Sequence, residues 1–494
     1  MRGKNFQTKV ISATKWSSVT ELAAKLVVPI TNMILARILA PEAFGVLATI
    51  IMIMSFADMF TDAGFQKYLV QHKFEDDIEK YMYANVAFWT NFMMSIVIWI
   101  TILFFREEIA ILVGNPGLGN VIAIASIQLV FTSFSSIQMA LYRRDFNFKT
   151  LFIVRIVAVC LPFVVTIPLA LLGLSYWSLI VGAISASISN AIILTIKSKW
   201  RPNFYYSFDA LKKMLSFSIW SLVEAISIWF TVWIDTLIIG IVLDEYYIGL
   251  YKTSTTVVNS LMALITSATV PVLFSALSRL QDDNIRFNEL FYKSQRMVSI
   301  LVFPLGIGIY IFSDLTTDIL LGSEWAEASR IIGIWALTSS ITIVFGHYCS
   351  EVYRAKGKPK LSFIAQLFHL VFLVPAIVIG SKYGFWILVF SRSLIRIQAI
   401  LVHFVIMKYV IGIPVSNTIR NVIPTLFSAL LMGGVGYYLK QIYEGNIWSI
   451  VCIIICIVFY FGFLSLFPRM RKENISLMSK LFSKTRLKRN NLRI

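Results

Sequence analysis

Apolar residues run along this chain in long blocks, broken by Gly, Pro and clusters of charge. A helix crosses the ~30 Å hydrocarbon layer in about 20 residues. The blocks therefore predict fourteen membrane-spanning helices, at 12–39, 44–66, 82–105, 120–142, 149–171, 175–196, 215–243, 247–275, 293–313, 328–353, 360–380, 384–407, 419–439 and 447–467. Some breaks are as short as Ala40-Pro41-Glu42-Ala43 and Ser381-Lys382-Tyr383, so the flanking spans are antiparallel neighbours. No loop is long enough to fold as a separate domain. The expected fold class is an all-α integral membrane protein.

Composition agrees. Of 494 residues, 58% are hydrophobic and only 14% charged, where a soluble domain carries about a quarter charged. Mean hydropathy is +0.77. A soluble chain of this size would need a core larger than its surface-to-volume ratio allows. Soluble enzymes, nucleic-acid-binding domains and disordered scaffolds are excluded.

The net charge is +18, from 44 Lys and Arg against 26 Asp and Glu. In a soluble chain this would suggest nucleic acid, but membrane proteins concentrate Lys and Arg in cytoplasmic loops. With the N-terminus inside, 34 of the 44 fall in inside segments and five outside: Arg106, Lys252, Arg330, Lys382 and Lys440. Topology thus explains the charge, both termini are expected in the cytoplasm, and nucleic acid is no partner. The basic tail, with Arg486, Lys488, Arg489 and Arg493, is expected to lie on the anionic inner leaflet. A docking site for cytoplasmic partners is the alternative.

The chain repeats itself. Leu39-Ala-Pro-Glu-Ala-Phe-Gly45-Val-Leu in the first hairpin is echoed by Leu243-Asp-Glu-Tyr-Tyr-Ile-Gly249-Leu-Tyr, with the glycines 204 residues apart. Tyr142-Arg-Arg-Asp-Phe-Asn-Phe-Lys149 is echoed by Tyr353-Arg-Ala-Lys-Gly-Lys-Pro-Lys360 after 211 residues. Spans 1–6 and 7–12 therefore read as two copies of one unit. An even number of spans per copy makes the repeats parallel, two lobes around a central cavity as in transporters. The expected division is an N-lobe at 1–200, a C-lobe at 201–410, two further spans in 411–468 and the tail at 469–494.

A charge inside a bilayer costs at least ~2.5–3.5 kcal/mol, so each needs a reason. Span 1 carries Glu21, Lys25 and Asn32 on one helical face, with Pro29 as a hinge between them. Span 7 carries Glu224, Ser227, Thr231 and Asp235 at one-face spacing. Matching stripes on equivalent helices favour a shared water-filled cavity over self-neutralising packing. Asp58 and Asp62 lie one turn apart in span 2. Asp58 is open to an ion-relay role or a packing role, and Asp62 is expected to tie down the next loop. Arg392 and Arg396 in span 12 stand four residues apart, Arg155 is in span 5, and Arg37 is near the outer end of span 1. Two like charges on one face call for an anion. The planar guanidinium matches phosphate oxygens in pairs, so a diphosphate would suit. Snorkelling is the alternative, above all for Arg396.

No catalytic or metal constellation accompanies them. Cys160, Cys349, Cys452 and Cys456 lie in apolar stretches, and His72, His347, His369 and His403 share no ligand spacing. Walker, Gly-x-Ser-x-Gly and His-Glu-x-x-His motifs are missing. The expectation is a transporter without cofactor or metal, driven by an ion gradient, the membrane potential or the substrate gradient.

The stretch Leu35-Ala-Arg37-Ile-Leu-Ala-Pro41-Glu-Ala-Phe44-Gly45-Val-Leu-Ala, with Asp58, Asp62-Ala-Gly64-Phe and Leu69-Val-Gln71, resembles polysaccharide exporters. Asp235 before Ile239-Gly240, Gly249-Leu-Tyr251, Pro271 ahead of Ser278-Arg279-Leu-Gln, Pro304 and Leu321-Gly322-x-x-Trp325 extend the likeness. It is similar to Wzx-type O-antigen flippases and to the colanic and teichuronic acid exporters of the multidrug/oligosaccharidyl-lipid/polysaccharide superfamily, over roughly residues 5–410. The resemblance implies a two-lobed bundle in the bacterial inner membrane. It would flip an undecaprenyl-diphosphate-linked oligosaccharide by alternating access, among membrane lipids and alongside glycosyltransferases and a polysaccharide polymerase. The family's cavity is cationic, which suits Lys25, Arg155 and Arg392. Asn32, Arg37 and Arg396 complete the expected substrate cavity, and Glu21, Asp58, Glu224 and Asp235 are the expected ion-coupling acids. A small-molecule antiporter of the same superfamily and a lipid II flippase are the alternatives. A membrane polymerase is disfavoured because it usually has a large outside loop.

Overall fold

A computed structural model describes residues 16, 20, 23–25, 27–62, 64–468, 470–471 and 473. Glu21, the start of span 1 and nearly all of the basic tail lie outside the described residues. All regular structure among the described residues is helical. The long helices are α1 (Ala23–Ala36), α2 (Pro41–Asp62), α3 (Asp77–Phe104), α4 (Gly119–Arg144), α5 (Phe148–Leu171), α6 (Tyr176–Lys197), α7 (Phe208–Val242), α8 (Glu245–Ser278), α9 (Asn284–Ile311), α10 (Ala328–Ala355), α11 (Lys360–Ser381), α12 (Phe385–Ile411), α13 (Ile423–Lys440) and α14 (Asn446–Leu464).

Each expected span coincides with one of these helices. Eleven are long and apolar enough to cross a membrane, and α8 makes twelve if Glu245–Ser267 and Val272–Ser278, bent by 41°, count as one span. The described part of α1 is shorter, and α13 has 18 residues with three glycines, two tyrosines and a lysine diluting its apolar run. The fold is an all-α integral membrane bundle.

Side-chain caps begin several helices. Asp76 accepts from the Glu79 amide at α3, Asn147 from Thr150 at α5, Ser207 from Ala210 at α7 and Asp283 from Arg286 at α9. Each satisfies a backbone donor that the first turn leaves without a partner. Proline interrupts α5 at Pro162, α9 at Pro304 and α11 at Pro375. A wide π-turn interrupts α10 at Ile343–His347 and another ends α12 at Met407–Ile411.

The described residues form two compact units. One is drawn from 1–253 with 320–325 and 374–388, the other from 254–319, 326–373 and 389–494. In the first, α3 and α4 pack around Tyr68, Tyr83, Phe88, Ile137 and Trp200, all buried. Trp200 donates to Asn85 Oδ1 at 3.1 Å, and Arg144 closes the short helix Phe65–Gln71 by donating to the carbonyls of Leu69 and His72 at 2.8 and 2.6 Å.

Two glycines set the crossing of α2 and α8 in this unit. A Cβ on Gly45 would overlap the Glu245 carbonyl, and one on Gly249 would overlap the Pro41 carbonyl. Residues 41 and 45 correspond to 245 and 249 at the repeat offset of 204, so the contact is reciprocal. Trp325 is fully buried beside it, donating Nε1 to the Ala36 carbonyl at 2.8 Å and meeting Phe44 edge-on with centroids 5.3 Å apart.

In the second unit α9 packs between α10 and α13, and α13 on α14. Lys440, at the end of α13, donates to Asp314 Oδ2 at 2.8 Å and to the Ile311 carbonyl at 3.1 Å. That hydrogen bond holds the Asp314 carboxyl below the usual carboxylate range. A carboxylate with a depressed folded pKa stabilises the fold above its unfolded pKa and loses that contribution as pH falls through the folded value. The purified protein should therefore unfold at a higher temperature than Asp314→Asn at about pH 6, and the gap should close below about pH 4. Scanning fluorimetry across that range checks it; a gap that persists at low pH would contradict it.

Candidate functional site

Span 12 was expected to place two arginines on one face, and α12 does so against α10. Arg392 is buried, with 7% exposure, and Arg396 is half-buried. Both lie over the ring of Trp335, their guanidinium carbons 5.4 and 4.2 Å from its centroid. Trp335 is fixed from behind by donating Nε1 to Asn259 Oδ1 at 3.1 Å. Arg396 also donates to Ser339 Oγ at 2.9 Å and Thr338 Oγ1 at 3.4 Å. An aromatic face attracts cations and tempers the repulsion between two guanidiniums. These hydroxyls orient the Arg396 guanidinium.

Arg396 lines a cavity of about 430 Å³ together with Thr342, His347, Glu351, Arg354 and His403. The π-turn of α10 carries His347 into this wall, and such turns frequently mark functional sites. Glu351 is buried and pairs with Arg354 at 3.3 Å, so that pair is internally neutral. His403 Nδ1 is hydrogen-bonded to the Tyr353 hydroxyl at 3.1 Å. The Arg396 guanidinium, the Thr342 hydroxyl and the two imidazoles give this wall polar groups able to bond the oxygens of an anion. Trp335, His347, His403 and Arg354 were not anticipated from sequence.

The other expected site residues lie in the first unit. Lys25, Pro29 and Asn32 are half-buried on α1, while Arg37 at its end and Arg155 on α5 are exposed. Asp58 is half-buried and accepts from Thr132 Oγ1 at 3.5 Å. Asp62 accepts from the Gln66 amide at 3.4 Å, the loop-tying role expected of it. Glu224 is exposed and stands 3.7 Å from Lys67 Nζ. Asp235 is buried, accepting from the Tyr251 hydroxyl and the Thr236 amide, each at 2.8 Å, with Lys252 Nζ 3.9 Å away. Among the described residues no group of three or more His, Cys, Asp or Glu could hold a metal ion.

Apolar helices in this number and this packing define a polytopic membrane protein with a polar cavity in one unit. The chain belongs to the polysaccharide biosynthesis protein family, whose pattern matches residues 34–330. It is 24% identical over 451 residues to the lipopolysaccharide biosynthesis protein WzxC of Escherichia coli (strain K12), covering 90% of each chain. It is 25% identical over 312 residues to the succinoglycan biosynthesis transport protein ExoT of Rhizobium meliloti (strain 1021), covering 63% of this chain and 62% of that one. Its fold is that of the lipid II flippase MurJ in an inward closed conformation, with a TM-score of 0.72 at 17% identity over 92% of this chain and 98% of that one.

Proposed function

We propose that the protein is a lipid-linked oligosaccharide flippase. It carries undecaprenyl-diphosphate-linked polysaccharide repeat units from the cytoplasmic to the outer leaflet of a bacterial inner membrane by alternating access. The substrate crosses chemically unchanged, and both termini of the carrier lie in the cytoplasm. Glycosyltransferases supply the substrate and a polymerase consumes it.

The observation that carries this reading is Arg396 on the wall of a polar cavity, packed with the buried Arg392 over the ring of Trp335. A diphosphate moving through hydrocarbon loses its hydration, and preplaced guanidinium donors replace it. A cationic small molecule would be repelled by the same wall. Lys25, Asn32, Arg37 and Arg155 extend the substrate path in this reading, with Pro29 as the bend in α1. Asp58, Glu224 and Asp235 are the acids through which an ion gradient couples.

Cells lacking the gene should accumulate lipid-linked repeat units shielded from an impermeant oxidant applied to spheroplasts, and the restored gene should expose them. Repeat units equally exposed with and without the gene would contradict the reading.

A further inference from the structure

A second concavity lies in the same unit, where α9 gives way to the short helix Ser313–Leu320 and where α13 turns into α14. It measures about 1010 Å³, at the top of the usual range for ligand sites. Tyr310 and Tyr437 line it and are 45% and 59% exposed. Arg330, Asp314, Asp318 and Asn446 share its walls. Asn446 donates to Asp318 Oδ2 at 2.8 Å, and Lys440 to Asp314 Oδ2 at 2.8 Å. These bonds orient the two carboxylates on this wall.

We infer that this concavity is a carbohydrate-binding site, one that receives the sugars of the translocated unit at the release end of the carrier. The inference rests on the function proposed above. Sugar rings have apolar C–H faces, which pack on aromatic rings, and rims of hydroxyls, which take paired bonds from carboxylates, amides and guanidinium. Interfacial tyrosines that merely anchor a helix face lipid headgroups. Here the rings stand around a concave space whose walls also carry Asp, Asn and Arg. A lipid tail would find too many polar groups, and a cation would find Arg330 and Lys440 beside the acids.

The placement also fits. The basic-loop asymmetry assigns this end of the bundle to the outside.

The test uses the full-length protein in nanodiscs and two probes. One is the repeat-unit oligosaccharide freed from its lipid by mild acid, and the other is undecaprenyl diphosphate bearing no sugar. Saturation-transfer NMR should show the free glycan bound by wild type. Binding should weaken about tenfold or more in Tyr310→Ala/Tyr437→Ala and in Asp318→Asn, the loss expected for removing stacking faces or a charged hydrogen bond. Undecaprenyl diphosphate binding should be unchanged in both variants, whose unfolding temperatures confirm folding. A wild type that ignores the free glycan while binding undecaprenyl diphosphate overturns the site and leaves the flippase reading standing. Variants that bind the glycan as wild type does also overturn it. Glycan binding that tracks the variants, in a protein unable to flip the intact substrate, supports the site and sinks the flippase reading.

Discussion

Gly45→Ala and Gly249→Ala should each lower the unfolding temperature of the purified protein substantially, and together they should cost less than the sum. In both cases the new Cβ meets a backbone carbonyl of the facing helix, Glu245 or Pro41, which no rotamer change can move aside. Relief requires α2 and α8 to separate, at about 1–3 kcal/mol for overpacking of this kind. Once separated by the first methyl, the helices admit the second at reduced cost, which is the non-additivity expected of residues sharing one contact. Gly462→Ala is the control, since no atom lies within 4 Å of the added carbon. Scanning fluorimetry of the four variants checks this. Equal shifts at Gly45 and Gly462, or full additivity, would remove the reciprocal crossing from the account.

Arg392→Ala and Arg396→Ala should each reduce export about tenfold or more while leaving the protein in the membrane. A hydrogen bond to a charged group contributes about 1.5–3 kcal/mol, which is about tenfold or more. Arg396→Lys should recover part of the loss, because charge remains but the paired donors do not. Trp335→Leu should lower export as well, since both guanidiniums lose the ring that orients them. Export can be read as surface polysaccharide in a deletion strain, with membrane abundance measured beside it. Wild-type export by both alanine variants would exclude these arginines from substrate handling.

Much of the bundle was legible in the chain because hydrocarbon imposes its own length on every span, and each apolar run became a helix. The repeat was legible in Gly45 and Gly249 as a shared motif, but their meeting was not. A sequence shows that two glycines are equivalent, not that each receives the other's neighbour. Arg392 and Arg396 were readable as one face, since helix spacing is local. Trp335, which organises them, lies on another helix, and the Ser339 that binds Arg396 is 57 residues away. His347 was hidden for a different reason, because a π-turn shifts the register on which face assignments depend. The acids divide in the same way. Glu224 and Asp235 share a stripe on α7, yet one stands against Lys67 in the open and the other is enclosed by Tyr251 and Thr236. Spacing along one helix gives the stripe, and only the neighbouring helices give the surroundings.

The central claim is that this carrier moves a lipid-linked oligosaccharide and that the arginine pair handles its diphosphate. Purified protein reconstituted into liposomes with a fluorescent undecaprenyl-diphosphate-linked repeat unit tests it most directly, by the fraction of label that an impermeant quencher reaches over time. Wild type should speed this well beyond protein-free liposomes, and the Arg392→Ala/Arg396→Ala double variant should fall back toward that baseline. A wild-type rate no faster than empty liposomes would contradict the flippase, and a double variant as fast as wild type would contradict the site.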